Sequence, residues 1–150
     1  MKPREISILL VEDNLADVVL TKEALAESDL INDIYTAKDG EEALSFLRKE
    51  GHYKDVPTPD LILLDLNLPK KDGRELLGDI KQDRNLKIIP VVILTTSVAR
   101  EDIIGSYLLH ANCYINKPVD FAQFMQVVKS IESFWFSIAK LPVATTRLPS

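Results

Sequence analysis

The feature that most constrains the fold is a run of four apolar residues, Leu61 to Leu64, followed directly by the carboxylate of Asp65. Four consecutive apolar residues bounded by turn-forming residues predict a strand that is buried on both faces, as in a parallel sheet. An isolated Asp after such a strand is as compatible with a helix cap or a solvated loop as with a functional site. Its interpretation therefore depends on how the other strands end.

Other segments of the chain also have the composition of strands. They span residues 6–11, 31–37, 91–94 and 113–115. The first of them ends at Glu12 and Asp13, the one at 91–94 ends at Thr95, and the last ends at Asn116 and Lys117. The segment at 31–37 is mixed in polarity, which is expected toward the edge of a sheet.

Segments with helical periodicity alternate with these strands. Helices are expected at about residues 15–28, 40–49, 72–83 and 99–110, and from 120 to at least 136, whereas Gly and Pro residues exclude regular structure at 50–59. In the first helix, Ala16, Leu20 and Ala24 are expected to face the core and Asp17 to face water. The alternation predicts an α/β fold: a doubly wound, flavodoxin-like sheet of five parallel strands in the order 2-1-3-4-5, with helices on both faces.

Ligands bind beyond the carboxyl ends of the strands in such sheets, so the polar residues there form the predicted active site. Three converging carboxylates repel one another unless a divalent cation lies between them. Hard oxygen ligands favour Mg²⁺, and Mn²⁺ can substitute. A lysine and a threonine on the far side predict a pocket for a phosphoryl group that is attached to, or passes through, one carboxylate. The predicted residues are Glu12, Asp13, Asp65, Asn67, Thr95, Thr96, Asn116 and Lys117.

Composition and charge restrict the class of partner. The 150 residues are 46% hydrophobic and 27% charged, with a net charge of −5, which is typical of one soluble domain. The acidic balance gives no electrostatic basis for binding nucleic acid or an anionic membrane. The sequence also lacks a Gly-rich phosphate-binding loop, which argues against a nucleotide as the substrate. With a single Cys and no signal peptide or membrane span, the chain is expected to be cytoplasmic and to act on another protein.

Several motifs resemble the signature of the receiver domains of bacterial two-component response regulators, over about residues 5–135. The resemblance implies that a sensor histidine kinase passes a phosphoryl group from a phosphohistidine to Asp65. It also implies a phosphoacceptor switch that catalyses only its own phosphorylation and dephosphorylation, rather than an enzyme. The motifs are Glu12-Asp13, Asp65 in LILLDLNLP, Thr95 in VVILTTS, Tyr114, and Lys117-Pro118 in YINKP.

The resemblance also implies a ligand set for the cation. Asp13 and Asp65 would bind Mg²⁺ directly, and the backbone carbonyl of Asn67 would be a third ligand. Glu12 would act through a water molecule. The commonest pair at the first position is Asp-Asp, and the longer Glu12 side chain still reaches a metal-bound water.

Phosphate contacts and switch residues follow from the same resemblance. Lys117 would pair with the phosphate, and its peptide bond to Pro118 is expected to be cis. Thr95 would move inward to hydrogen-bond the phosphate, and Tyr114 would turn into the space left behind. A single added charge would thereby bias a two-state switch.

The C-terminal part of the chain is expected to carry a protein contact rather than an effector domain. The receiver domain is expected to span residues 1–138, and residues 139–150 form a C-terminal extension that is too short for a domain. The apolar arc of the last helix is wider than packing on one sheet requires, which predicts a homodimer interface. The predicted interface residues are Phe121, Phe124, Val127, Phe134 and Trp135.

Three further features resemble the small response regulators that are paired with cyanobacterial phytochrome histidine kinases. They are the C-terminal extension, the long loop before the third strand, and the segment LHANCYINKP. A phytochrome kinase is therefore the expected partner.

Two alternative functions belong to other classes. A Mg²⁺-dependent phosphatase with Asp65 as nucleophile would need a general acid, often an Asp two residues on, where this chain has Asn67, and a substrate-covering cap, which is absent from the sequence. A phosphorylation-independent dimeric adaptor would not need the retained residues Asp13, Asp65, Thr95 and Lys117, and their presence argues against it.

Overall fold

The computed structural model of the chain describes residues 6–26, 31–95 and 113–117, together with Ala122 and Gln126. Ala122 and Gln126 are helical, while the rest of the last predicted helix and the helix expected at 99–110 lie outside the described residues. The strands are β1 (Ile6–Val11), β2 (Ile31–Ala37), β3 (Leu61–Leu64), β4 (Val91–Thr95) and β5 (Cys113–Asn116). The helices are α1 (Leu15–Leu25), α2 (Gly40–Leu47) and α3 (Gly73–Gln82).

All five strands pair in parallel in one sheet of order β2-β1-β3-β4-β5. This confirms the predicted flavodoxin-like order. Val11 lies opposite Leu64 in the register of β1 and β3, so the residues that follow these two strands emerge side by side. From β1 the chain first adds β2 on one side and then β3 on the other, so the winding direction reverses between β1 and β3. The predicted site lies at this switch point of the sheet.

Helices cover both faces of this sheet, as predicted. Side chains alternate between the two faces along each strand because the backbone is pleated. Leu9 and Val11 contribute to a core that also contains α2 and α3 residues, whereas Ile8 and Leu10 pack in a second core with Leu25 of α1. All four residues of β3 are fully buried, since β3 lies between two strands and two helical layers.

The buried face of α1 differs from the prediction. Leu20, expected in the core, is 54% exposed, and Ala16 is also exposed. The buried side chains of this helix are instead Thr21 and Leu25. The prediction was wrong because apolar residues occupy most of the circumference of α1, so periodicity does not single out one face. The helix also ends at Leu25, three residues earlier than expected for a helix over 15–28.

The loop after α2 contains one short regular element, a 3₁₀ helix over Gly51–Tyr53, where none was expected. The ring of Tyr53 packs at a tilt against Phe46 of α2, with ring centroids 5.4 Å apart, and its hydroxyl donates to Glu42. These contacts hold the loop against α2. Among the helices in the described ranges, none is long and apolar enough to cross a membrane.

Candidate functional site

Three predicted carboxylates converge where β1 and β3 end. The side chains of Glu12, Asp13 and Asp65 each place an oxygen within 4.8 Å of the others. Glu12 and Asp65 are buried, while Asp13 is exposed and lies toward solvent. The three residues therefore lie together, as expected from the order of the strands that precede them.

Backbone hydrogen bonds fix two of these carboxylates. The amide of Asn14 donates to Oε2 of Glu12 at 3.1 Å, and the amide of Asn67 donates to Oδ1 of Asp65 at 3.1 Å. The amide of Asp65 itself donates to the carbonyl of Val11, which extends the pairing of β3 with β1 by one residue. Both side chains are therefore oriented by the turns in which they lie.

Lys117 reaches the same cluster from the end of β5. Its ammonium lies 3.0 Å from Oδ2 of Asp65 and 2.9 Å from Oδ2 of Asp17, and it also forms an ion pair with Glu12. The lysine side chain is only 8% exposed. An ammonium has three N–H donors, so these three carboxylates satisfy it fully.

Burial and pairing perturb the protonation of these groups. Burial raises the pKa of Glu12 to about 7, against the opposing effect of its hydrogen bonds from Lys117 and Asn14. Burial would lower the pKa of Lys117, but its hydrogen bonds to Glu12, Asp17 and Asp65 outweigh this and raise the pKa above its ordinary value. The lysine is therefore a permanent positive charge beside Asp65.

The start of α3 supports the backbone that carries Asp65. Gly73 packs so closely that a Cβ atom at this position would lie 2.3 Å from the carbonyl oxygen of Asp65 and 2.6 Å from Cα of Leu66. The amide of Gly73 donates to the carbonyl of Leu66 at 3.0 Å. Asp72 and Glu75 form a capping box at this helix start. The turn after β3 is thus clamped by a helix terminus that only glycine permits.

The donor set fits a divalent cation. Carboxylate oxygens from Glu12, Asp13 and Asp65 are the hard ligands that Mg²⁺ and Mn²⁺ prefer, and they lie close enough together for one ion to be held among them, directly or through water. A bound ion would offset the mutual repulsion of these groups. Lys117 forms ion pairs with two of the three carboxylates, those of Glu12 and Asp65, so these ion pairs would have to weaken or break when a cation binds.

Two predicted switch residues lie in the adjoining strands. Thr95 is the last residue of β4 and is opposite Asn116, the residue before Lys117. Tyr114 lies in β5 opposite Ile93. The side chains of Thr95, Tyr114 and Asn116 are outside the described part of the structure. So are Thr96, Pro118 and the predicted interface residues Phe121, Phe124, Val127, Phe134 and Trp135.

Sequence reasoning missed one residue of the site. Asp17 was expected to face water, but its carboxylate contacts Lys117 and its side chain is 32% exposed. The available signal was its place in the first turn of α1, four residues after Asp13, because that turn starts at the same edge of the sheet.

The comparisons with known proteins agree with this geometry. The response regulator receiver domain family matches residues 8–129. Response regulator Rcp1 from Synechocystis sp. is 50% identical over 137 residues, which cover 91% of this chain and 93% of the relative.

Solved structures with a similar fold are also those of response regulators. The phosphorylated cyanobacterial phytochrome response regulator RcpA has a TM-score of 0.76 and 56% identity, covering 89% of this chain and 95% of that one. The Mn²⁺-bound form of response regulator Rcp1 has a TM-score of 0.73 and 51% identity, covering 87% and 94%. Receiver domains accept a phosphoryl group on an aspartate and bind a divalent cation. The family match over residues 8–129 and these relatives confirm the resemblance carried by the motifs: this chain belongs to the response regulator receiver domain family.

Proposed function

We propose that Asp65 is the phosphoacceptor of a response regulator that is phosphorylated by a sensor histidine kinase. One observation carries the proposal: Asp65 is the aspartate of the Glu12–Asp13–Asp65 cluster whose carboxylate also lies 3.0 Å from the ammonium of Lys117. Glu12 shares the lysine contact, but receiver domains accept the phosphoryl group on an aspartate. An acceptor of phosphoryl groups needs positive charge on both sides of the transferring oxygens, and this position provides for it.

The transfer is a displacement at phosphorus. A carboxylate oxygen of Asp65 attacks the phosphorus of the phosphohistidine, an O–P bond forms, and the N–P bond to the imidazole breaks. The electron pair of that bond stays on the imidazole nitrogen. Lys117 neutralises charge on the phosphoryl oxygens, and the Asn67 amide holds Oδ1 of Asp65 in place. The later hydrolysis of the acyl phosphate by water is proposed to use the same groups.

Mg²⁺ is the proposed cation, and Mn²⁺ can substitute. Asp13 and Asp65 would hold it directly, together with the backbone carbonyl of Asn67, and Glu12 would hold it through water. When bound, the cation would supply positive charge to the phosphoryl oxygens in addition to that of Lys117. The all-oxygen donor set and the Mn²⁺-bound form of Rcp1 support this assignment.

Thr95 and Tyr114 are the proposed switch residues. Thr95 ends β4 and pairs with Asn116, the residue before Lys117, and its hydroxyl is proposed to hydrogen-bond a phosphoryl group on Asp65. Tyr114, on β5, is proposed to follow it. The cis peptide bond before Pro118 is part of the same proposal, since it would set the direction in which the chain leaves Lys117.

The proposed kinase is a phytochrome. RcpA is a cyanobacterial phytochrome response regulator, and the bacteriophytochrome response regulator AtBRR has a TM-score of 0.76 and 43% identity, covering 86% of this chain and 94% of that one. Phosphotransfer from a phytochrome kinase should exceed that from an unrelated histidine kinase at equal concentration. Equal rates from both would contradict this pairing.

A homodimer is the proposed output form. It rests on the apolar arc of the last helix, with Phe121, Phe124, Val127, Phe134 and Trp135 as interface residues and residues 139–150 as an extension of the receiver domain. Light scattering at tens of micromolar, with and without beryllofluoride and Mg²⁺, should show a dimer. A monomer in both conditions would contradict it.

Phosphotransfer to Asp65 provides the main test. Incubation with a phosphorylated histidine kinase and Mg²⁺ should give one adduct per chain, located at Asp65 by mass spectrometry. Asp65→Asn should abolish it, whereas Asp55→Asn, a matched change at an exposed aspartate, should not. An adduct at another residue would contradict the assignment. Multiple turnover of a small phosphoester would instead support the phosphatase, and complete absence of an adduct would support the phosphorylation-independent adaptor.

A further inference from the structure

The three acceptors of the Lys117 ammonium differ in one respect. Glu12 and Asp65 belong to the carboxylate cluster at the end of β1 and β3, whereas Asp17 is on α1 and is not among the three clustered carboxylates. Lys117 therefore bridges two groups that a cation would use and one that it would not.

The position of Asp17 is well defined. It lies in the first turn of α1, and its own amide donates to the side-chain oxygen of Asn14, the N-cap of the helix, at 3.0 Å. Its side chain is about one-third exposed, whereas those of Glu12 and Asp65 are buried. A carboxylate in the first turn also interacts favourably with the helix dipole, which helps to keep the Asp17 side chain at the rim of the site.

A divalent cation at the carboxylate cluster would change what Lys117 contacts. Glu12 and Asp65 would interact with the added positive charge, so their ion pairs with the ammonium of Lys117 would both weaken. The lysine is 8% exposed, and an unpaired ammonium in that setting is costly. Asp17 offers it a partner that needs no movement away from Asp65.

We propose that Asp17 is a positioning residue that retains the ammonium of Lys117 beside Asp65 when a divalent cation takes over the carboxylates of Glu12 and Asp65. The inference rests on the cation site of the proposed function, but not on the identity of the kinase or of the output. Asp17 thereby lowers the cost of cation binding. It also competes with an incoming phosphoryl group for the same lysine.

Two opposite effects of Asp17→Asn follow. Without a charged partner outside the cluster, Lys117 holds on to Glu12 and Asp65, so Mn²⁺ should bind roughly fivefold more weakly at low ionic strength. Once Mg²⁺ is saturating, the lysine is no longer shared with Asp17, so beryllofluoride should bind at least as tightly as in the wild type. If Asp17 had a merely structural role, Asp17→Asn would weaken the binding of both Mn²⁺ and beryllofluoride.

The measurement is the concentration of free Mn²⁺ by electron paramagnetic resonance during titration of the full chain. Glu23→Gln removes one negative charge from an exposed position of the same helix and is the matched control, with an affinity expected within about twofold of the wild type. Wild-type affinity in Asp17→Asn would overturn the proposal. So would weaker beryllofluoride binding at saturating Mg²⁺.

A double-mutant cycle separates positioning from long-range attraction between Asp17 and the cation. In a Lys117→Gln background no ammonium has to be relocated, so adding Asp17→Asn should no longer change the Mn²⁺ affinity. An undiminished loss in that background would overturn the proposal. If Lys117→Gln does not fold, the beryllofluoride comparison decides alone. Failure of the wild type to bind Mn²⁺ at all would instead refute the cation site of the proposed function.

Discussion

The ammonium of Lys117 lies 3.0 Å from Oδ2 of Asp65, although the two residues are 52 positions apart in the sequence. The contact spans the end of β4, because β4 lies between the strands that carry the two residues. Acidic groups reach Asp65 from β1 on the other side. The proposed phosphoacceptor therefore shares one edge of the sheet with the positive charge of Lys117 and with the carboxylates that would hold a divalent cation.

Replacing the lysine should make stability depend on the cation. Lys117→Gln leaves Glu12 and Asp65 buried without their ion pairs, at a cost of about 3 kcal/mol or more in the absence of metal. It also removes the charge that competes with a cation. The melting temperature, followed by circular dichroism, should therefore fall in the variant without metal and rise more on addition of Mg²⁺ than it does in the wild type.

The control for this change is Lys22→Gln on the exposed side of α1. It should leave both the melting temperature and its response to Mg²⁺ near the wild-type values. Phosphotransfer to Asp65 should be lost in Lys117→Gln even at saturating Mg²⁺, since the proposed charge on the phosphoryl oxygens is gone. An equal Mg²⁺ response in the wild type and Lys117→Gln would contradict the competition between lysine and cation.

Glycine at position 73 is required by close backbone packing. In Gly73→Ala the new methyl group would collide with the backbone of Asp65 and Leu66, which cannot move without displacing the site. Overpacking of this kind should lower the free energy of unfolding by about 3 kcal/mol and slow phosphorylation of Asp65. Urea unfolding followed by circular dichroism measures the first effect.

Gly51→Ala is the matched change where space is free. A Cβ there meets nothing within 4 Å, and the cost comes from a φ of +60° alone, so about 1 kcal/mol is expected with no effect on phosphorylation. Equal losses in the two variants would show that the packing of α3 against the Asp65 turn does not matter.

The sequence was sufficient for the parts of the site that depend on strand order. Apolar runs that end in polar residues predict a parallel sheet, and a parallel sheet brings Glu12, Asp65 and Lys117 to one edge. The buried face of α1 was not predictable, because Leu15, Val19 and Leu20 are apolar and yet exposed. The contact of Asp17 with Lys117 depends on that rotation of α1 and was missed for the same reason. The close approach of Gly73 is a tertiary contact with no sequence pattern of its own.

Asn14 should stabilise α1 and the site together. Its side chain caps the helix by accepting from the amide of Asp17, and its own amide donates to Glu12. Asn14→Ala should cost about 1 kcal/mol of stability through loss of the cap, whereas Asn14→Asp keeps a capping oxygen and should cost much less. Urea unfolding of both variants checks this. Equal destabilisation by Ala and Asp would mean that the cap does not stabilise α1.

The hydroxyl of Tyr53 should give the protein a stability term that disappears at high pH. It donates to Oε2 of Glu42 at 2.5 Å, and this hydrogen bond, with burial and the charge of Glu42, raises the pKa of Tyr53 to about 12. Because the pKa in the folded state is above the ordinary value of 10, the contribution is fully present below pH 10 and is lost as the pH rises through about 12. Tyr53→Phe should therefore be less stable than the wild type by about 1 kcal/mol at pH 8, and this difference should shrink toward pH 12.

Tyrosinate absorbance at 295 nm tests the same group directly. The titration step near pH 12 that belongs to Tyr53 should be absent in Tyr53→Phe. Glu42→Gln keeps an acceptor for the hydroxyl but removes the negative charge, so the pKa of Tyr53 should move back toward 10. A pKa of Tyr53 that is unchanged in Glu42→Gln, or a stability difference between Tyr53→Phe and the wild type that stays constant from pH 8 to above pH 11, would show that this hydrogen bond does not hold the Gly51–Tyr53 turn against α2.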